Sequence, residues 1–138
     1  MPEPIVIKEG AIFIADSHEN ENRKNFLRFL YALKSGEIKT PQLFLMGDMF
    51  DFLAAQCEFF VKFYEPYIDV INEISEKTEI YYFEGNHDFN LAPLFKNVKT
   101  YPIGAQPVKF ASKCQKCVFI TGANCVKKIK RSDFGNRN

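Results

Sequence analysis

Four short, uninterrupted apolar runs constrain this chain more than any other feature: residues 11–15 (AIFIA), 43–46 (LFLM), 80–83 (IYYF) and 118–121 (VFIT). A strand with one wet face alternates apolar and polar side chains. None of these runs does so, and each reads as a strand buried on both faces, as in a parallel sheet. Between the first two, Phe26, Leu27, Phe29, Leu30 and Leu33 recur at helical spacing and Ser35-Gly36 closes the segment, which predicts an amphipathic helix. Between the second and third, Phe60, Val61, Tyr64, Tyr67, Ile68, Ile71 and Ile74 make a longer helical stripe, with Pro66 placed to kink it or divide it in two. This alternation of strand and helix predicts a layered α/β domain, mostly parallel in its sheet, with right-handed crossovers and flanking helices. With 138 residues, 46% of them hydrophobic, the chain is long and apolar enough for one core, which excludes a fibrous repeat or a disordered segment. After Asn97 the pattern weakens. Tyr101-Pro102-Ile103-Gly104 reads as loop, residues 1–121 as the domain, and residues 122–138 as a basic, poorly ordered tail.

Each of the first three runs leads straight into a polar cluster: Asp16-Ser17-His18, then Gly47-Asp48-Met49-Phe50-Asp51, then Gly85-Asn86-His87-Asp88. The carboxyl ends of parallel strands share one edge of a sheet, so clusters far apart in sequence are expected to meet. Carboxylate, imidazole and amide oxygen form a mixed N/O donor set that suits zinc, manganese or iron rather than sulfur-seeking copper. Gly47 and Gly85 permit the sharp exit from a strand that aims the next side chain at an ion. A carboxylate from the middle strand, with an Asp/His pair on one side and an Asn on the other, is arranged to bridge two cations about 4 Å apart. Such a pair orients a phosphate and acidifies a water, so hydrolysis of a phosphoester is the expected chemistry. Each cluster alone has a blander reading. Asp16 and His18 form an ordinary loop pair, Asp48 and Asp51 suit a helix N-cap, and Gly85-Asn86 is a common turn dipeptide. Their order along the chain favours the site.

Together the three clusters, Asp16-x-His18, Gly47-Asp48-x-x-Asp51 and Gly85-Asn86-His87-Asp88, resemble the signature of the calcineurin-like metallophosphoesterases. The fuller matches at residues 47–52 and 82–89 look like the branch that hydrolyses UDP-2,3-diacylglucosamine in lipid A biosynthesis. The resemblance covers residues 10 to about 121. It implies that Asp16 and His18 hold a first metal, that Asp48 bridges, and that Asn86 holds a second. It further implies that His87 meets the phosphate, that Asp88 orients the His87 ring, and that Asp51 accepts a hydrogen bond behind the ligands. Two divalent ions are implied for the family, manganese foremost, with zinc or iron as substitutes.

The family pattern also calls for an isolated His after a later strand and then a G-H-x-H. The chain has two histidines in all, His18 and His87, and where the lone His would stand it reads Thr121-Gly122-Ala123-Asn124. At most one ion is therefore expected here, with activity weak or absent, because a catalytic zinc takes about three protein ligands. The charge pattern changes in the same region. Residues 109–138 hold eight Lys/Arg against one Asp, while residues 1–108 hold ten against sixteen acids. The resulting expectation is the N-terminal half of a longer metallophosphoesterase, truncated or shifted in reading frame, with apolar surface left exposed and a tendency to self-associate. Cys114-Gln115-Lys116-Cys117 with Cys125 lacks a second ligand pair and reads as reduced thiols. The basic residues Lys127, Lys128, Lys130, Arg131 and Arg137 read as a solvated tail rather than a nucleic-acid grip.

No run reaches the roughly 18 apolar residues of a membrane span, and Met1-Pro2-Glu3-Pro4 has no signal character. A cytoplasmic protein is expected, with peripheral attachment to the inner membrane if the substrate is a lipid-linked nucleotide. The partner expected is a phosphorylated small molecule or such a lipid. A non-catalytic metal-binding or interaction module, and a nucleotide phosphodiesterase or nuclease of the same superfamily, are the alternatives.

Overall fold

The structure, a computed structural model, describes residues 5–106, 110–112, 116–121 and 125–130, with backbone alone beyond Gln106. Its elements in chain order are β1 (Ile5–Ile7), β2 (Ile12–Ala15), α1 (Asn25–Ser35), β3 (Gln42–Leu45), β4 (Leu53–Ala54), α2 (Glu58–Phe63), α3 (Glu65–Ile74), β5 (Glu79–Phe83), β6 (Asp88–Phe89), β7 (Lys99–Tyr101), β8 (Phe110–Ser112), β9 (Lys116–Thr121) and β10 (Cys125–Lys130). A six-stranded sheet runs in the order β10-β9-β2-β3-β5-β7. Every neighbouring pair in it is parallel except β10 with β9. Two small parallel pairs, β1 with β8 and β4 with β6, complete the described strands.

Each central strand divides its side chains between two clusters, as the period of two requires. Ile12, Ile14, Leu43, Leu45, Ile80 and Tyr82 face α1 and α3, where Phe26, Leu30, Tyr67, Ile68, Ile71 and Ile74 complete one core. Phe13, Phe44, Tyr81 and Phe83 turn the other way and meet Ile5 and Ile7 of β1. On that second face the rings stack across adjacent strands: Phe13 on Phe44 at 4.4 Å between centroids, Phe44 on Tyr81 at 5.0 Å, and Phe83 on Tyr101 at 4.8 Å. Both helices cover the same face because the chain steps in one direction, from β2 to β3 to β5, and right-handed crossovers moving one way fall on one side.

Local signals account for the helices. Gly36, at φ +85°, ends α1 in the left-handed conformation, and its N–H donates to the Leu33 carbonyl, an arrangement glycine adopts without steric cost. The stripe after β4 is divided rather than kinked: α2 stops at Phe63 and α3 begins at Glu65, with Pro66 in its first turn, where a missing N–H costs nothing. Neither Asp48 nor Asp51 caps the next helix, which has Cys57 at its N-cap position.

Several expectations need correction. In the weakly patterned stretch after Asn97, Lys99–Tyr101 forms β7, which takes Tyr101 out of the expected loop, while Ile103–Ala105 is a short 3-10 turn; pairing with β5 outweighs the weak local pattern of Lys99–Tyr101. Within the expected tail, Cys125–Lys130 is a strand hydrogen-bonded to β9; residues 122–124 and 131–138 lie outside the described residues, as does Cys114. The aromatic face of the sheet is not bare. β1 lies against it, and the buried Gln42 side chain donates to the Val6 carbonyl (2.9 Å) and accepts from the Lys8 N–H (2.6 Å), tying β1 to β3. Among the described residues, large apolar side chains are exposed at Val6, Tyr31, Phe59, Phe63 and Ile103, and Phe59 on α2, 73% exposed, is the most open of them.

The tyrosines between the helices and the sheet predict an alkaline limit to stability. Burial pushes the Tyr64 hydroxyl up to about 12 from its ordinary 10.0. Burial likewise raises Tyr67 and Tyr82, the latter also through the neighbouring Asp88 carboxylate. A group that holds its proton more tightly in the folded state contributes fully below pH 10 and loses that contribution as the pH rises toward 12. The slope is about 1.4 kcal/mol per pH unit for each tyrosine. Urea unfolding between pH 9.5 and 11.5 should show stability falling steeply, and Tyr64→Phe should make that fall shallower by about one tyrosine's share.

Candidate metal centre

Because β2, β3 and β5 are adjacent and parallel, the three polar clusters leave the same edge of the sheet. The pairing continues past the strands. The Asp16 N–H donates to the Gly47 carbonyl (3.2 Å), the His18 N–H to the Asp48 carbonyl (3.1 Å), and the Ser17 hydroxyl to the Met49 carbonyl (2.7 Å). These bonds lock the first loop to the second. One ligand atom each from Asp16, His18 and Asp48 then lies within 4.8 Å of the others, and His18 Nε2 is 3.9 Å from Asp16 Oδ1.

The backbone at this corner is strained in the same three places. Asp16, His18 and Asp48 have φ of +55°, +44° and +52°, and among the described residues Asn90 alone joins them as a non-glycine with positive φ. That conformation is uncommon for side-chain-bearing residues and persists where the surroundings over-determine it, commonly at a functional site. Two carboxylates and an imidazole, none of them buried, suit a divalent cation of the manganese, zinc or iron type. The donor set fits the group the sequence implies.

The third loop is placed against the second by direct contacts. The His87 N–H donates to Asp48 Oδ1 (3.1 Å). Gly85 packs so tightly there that a Cβ on it would lie 2.5 Å from Asp48 Oδ1 and 2.9 Å from the Asp48 nitrogen. Asn86 sits exposed between these two residues that touch Asp48. Gly47 turns at φ +96°. Gly85 needs no positive φ; its missing side chain is what lets the loops close.

Asp88 does something other than expected. Its carboxylate is fully buried and accepts from the N–H groups of Asp48, Met49 and Gly85, each at 2.9 Å, and from the Tyr82 hydroxyl. Burial raises its pKa, and those four donors oppose the rise. The His87 ring is oriented instead by the Asp51 carbonyl, 3.0 Å from Nδ1. A carbonyl only accepts, so Nδ1 carries a proton and Nε2 is the ring atom left to a ligand. The correction has a simple cause: Asp88, paired with Leu53 in the β4–β6 ladder, is turned into the core beneath the loop, away from the ring beside it. Asp51 lies beside the candidate ligands, with Oδ1 3.8 Å from His18 Nδ1 and Oδ2 accepting from the Asn20 amide at 2.7 Å.

Sequence reasoning missed Glu19. It is fully buried and bonds to α1, to Tyr67 and to the second loop. A glutamate directly after D-x-H, in a polar stretch, carries no sequence signal for burial. Gly85→Ala tests the closure of the loops: the new Cβ meets the Asp48 backbone, and the variant should melt lower and lose cation binding, checked by thermal melts with and without Mn²⁺.

Among the described residues, no helix is long and apolar enough to cross a membrane. None of the curated proteins matches the sequence. The family model for the calcineurin-like phosphoesterases matches residues 11–133, running from the residue before β2 through all three polar clusters and beyond β10. With nearly the whole chain matched and its polar clusters gathered at one sheet edge, the protein belongs to the calcineurin-like phosphoesterases.

Proposed function

We propose that the chain is a metal-dependent phosphoesterase that binds one divalent cation, manganese foremost, through Asp16, His18 and Asp48, with Asn86 beside them. The observation that carries this reading is the convergence of those three donor atoms within 4.8 Å on backbone held in a disfavoured conformation at all three residues. A cation bound there supplies positive charge to a phosphate oxygen and lowers the pKa of a water close to neutrality.

The chain's own groups do the rest. His87 is held by the Asp51 carbonyl with its proton on Nδ1; its Nε2 is the atom to contact a phosphate oxygen and, when protonated, to steady the leaving oxygen. The His87 N–H holds Asp48 Oδ1, which fixes the orientation of the carboxylate shared by the two loops. Asp88 acts through the backbone of Asp48 and Met49, as a positioning residue. Three protein donors match the minimum for a catalytic ion, and a turnover well below that of a two-metal relative is the proposed level for this chain.

The finer proposal for the substrate is a diphosphate that carries apolar chains, such as UDP-2,3-diacylglucosamine, with attachment to the membrane surface through those chains. The support is a line of rings leading out from the residues beside the site. Phe89 meets Phe52 at 5.6 Å, Phe52 meets Phe60 at 5.0 Å, and Phe60 meets the exposed Phe59 at 5.1 Å. Such a surface offers acyl chains an apolar path within reach of the phosphate.

Purified chain loaded with Mn²⁺ should hydrolyse an activated phosphodiester in proportion to bound metal, and Asp48→Asn should lower the rate by on the order of 100-fold or more, since even residues behind metal ligands cost 10- to 100-fold. Equal rates in the two proteins would overturn the assignment of the site. For the lipid reading, Phe59→Ser should raise KM for a diacylated diphosphate several-fold and leave KM for the activated diester unchanged, because only the acylated substrate uses the ring surface.

A further inference from the structure

We infer that Glu19 is a positioning residue for the metal centre: a buried carboxylate that pins the loops of His18 and Asp51 to the helices beneath them. The inference rests on the reading of Asp16, His18 and Asp48 as a cation site and goes beyond it, to what holds those ligands in their strained arrangement.

Almost every polar atom of Glu19 is engaged, and the bonds lead in three directions. Its N–H donates to the Met49 carbonyl at 2.9 Å. Its carbonyl accepts from the Asp51 N–H at 3.1 Å and from the Tyr64 hydroxyl at 2.6 Å. Its Oε1 accepts from the N–H groups of Phe26 (3.0 Å) and Leu27 (3.3 Å) in the first turn of α1, and from the Tyr67 hydroxyl at 3.0 Å. Oε2 is buried without a partner among the described residues. A carboxylate belongs at the start of a helix, where unpaired N–H groups point outward. The residue at the N-cap position, Lys24, makes no side-chain cap bond, and Glu19 fills that role from a different segment of the chain.

The consequence reaches both histidines. His18 is joined covalently to Glu19 and shares its ladder, with the His18 N–H on the Asp48 carbonyl immediately before the Glu19 N–H on Met49. The Asp51 backbone that Glu19 holds carries the carbonyl that orients the His87 ring and the carboxylate 3.8 Å from His18 Nδ1. The rings of His18 and His87 stand 5.6 Å apart, edge to face. His18, Asp51 and His87 are thereby tied to one anchor in α1 and α3. Strained backbone at Asp16, His18 and Asp48 requires such an external constraint, because each loop alone would relax to an ordinary φ. A helix cap of purely local value would need only the two N–H bonds to Oε1; the further bond to Oε1 from the Tyr67 hydroxyl ties the carboxylate to α3 as well, and the main-chain bonds to Met49, Asp51 and Tyr64 place the residue that carries it between the helix layer and the loops.

The test is Mn²⁺ affinity of the folded full chain, read from the electron paramagnetic resonance of free Mn²⁺, with folding followed by circular dichroism. Glu19→Ala should weaken Mn²⁺ binding by about tenfold or more, the usual cost of removing a group behind a metal ligand. Glu19→Gln keeps an Oε1 acceptor for all three donors and puts the amide where Oε2 has no partner; its affinity should stay near that of the unaltered chain even if it melts lower. Leu30→Ala, a fully buried α1 position in the apolar core, should lower the melting temperature and leave Mn²⁺ affinity unchanged, which separates positioning from general destabilisation. Should Glu19→Ala not fold, Tyr67→Phe decides, since it removes a hydroxyl from Glu19 Oε1 and should weaken Mn²⁺ binding several-fold. Unchanged affinity in Glu19→Ala (or, failing that variant, in Tyr67→Phe), or a loss in Glu19→Gln equal to that in Glu19→Ala, overturns the inference while leaving the cation site standing. An unaltered chain that binds no Mn²⁺ overturns both.

Discussion

The buried carboxylate of Asp88 holds the rest of this site together. Removed from water, it is stable only because Asp48, Met49 and Gly85 each present an N–H and Tyr82 a hydroxyl to it, and burial still leaves its pKa raised. Two of those N–H groups belong to the loop after β3 and one to the loop after β5. The carboxylate is thus a rivet between two loops that share no covalent connection for some forty residues. An ionised group left with fewer donors at that depth would cost several kcal/mol, so the loops and the carboxylate constrain each other. The turn at Asp48, at φ +52°, is one result.

The loop after β2 is joined by different means. There the parallel ladder simply continues, through Asp16, His18 and Glu19, onto the carbonyls of Gly47, Asp48 and Met49. Ladder bonds place the backbone, and the side chains at Asp16 and His18 converge because both residues adopt positive φ, which re-aims a Cβ that an extended strand would send to alternate faces. Catalytic sites on open α/β sheets are commonly built from loops on a rigid edge. Here the rigidity comes from aromatic packing on both sheet faces, with tyrosine hydroxyls from α3 and its N-cap reaching up to Glu19.

The strands and helices were legible because their signal is local. Runs such as LFLM and IYYF are apolar without interruption only if both faces are covered, and the observed register places Leu43 and Leu45 toward the helices and Phe44 toward β1. β7 and β10 were not legible, since three to six residues of mixed composition become strand through a partner supplied from elsewhere in the chain, and β1, though apolar throughout, is only three residues long. The ligand candidates Asp16, His18 and Asp48 were legible from their positions directly after strands. The partner of His87 was not: nothing in Gly85-Asn86-His87-Asp88 says that the adjacent acid turns inward and that a main-chain carbonyl, thirty-six residues earlier, takes the ring.

What the amino-acid sequence determined by itself is therefore the alternation of buried strands and helices and the kind of chemistry at the strand ends, because periodicity and residue type are properties of neighbours along the chain. What only the tertiary structure decided is which polar group faces which: Asp88 into the core, His87 onto Asp51, Glu19 under the loops. Those choices depend on burial and on donors brought from distant segments, and a carboxylate has the same formula whether it meets a cation, water or four protein donors.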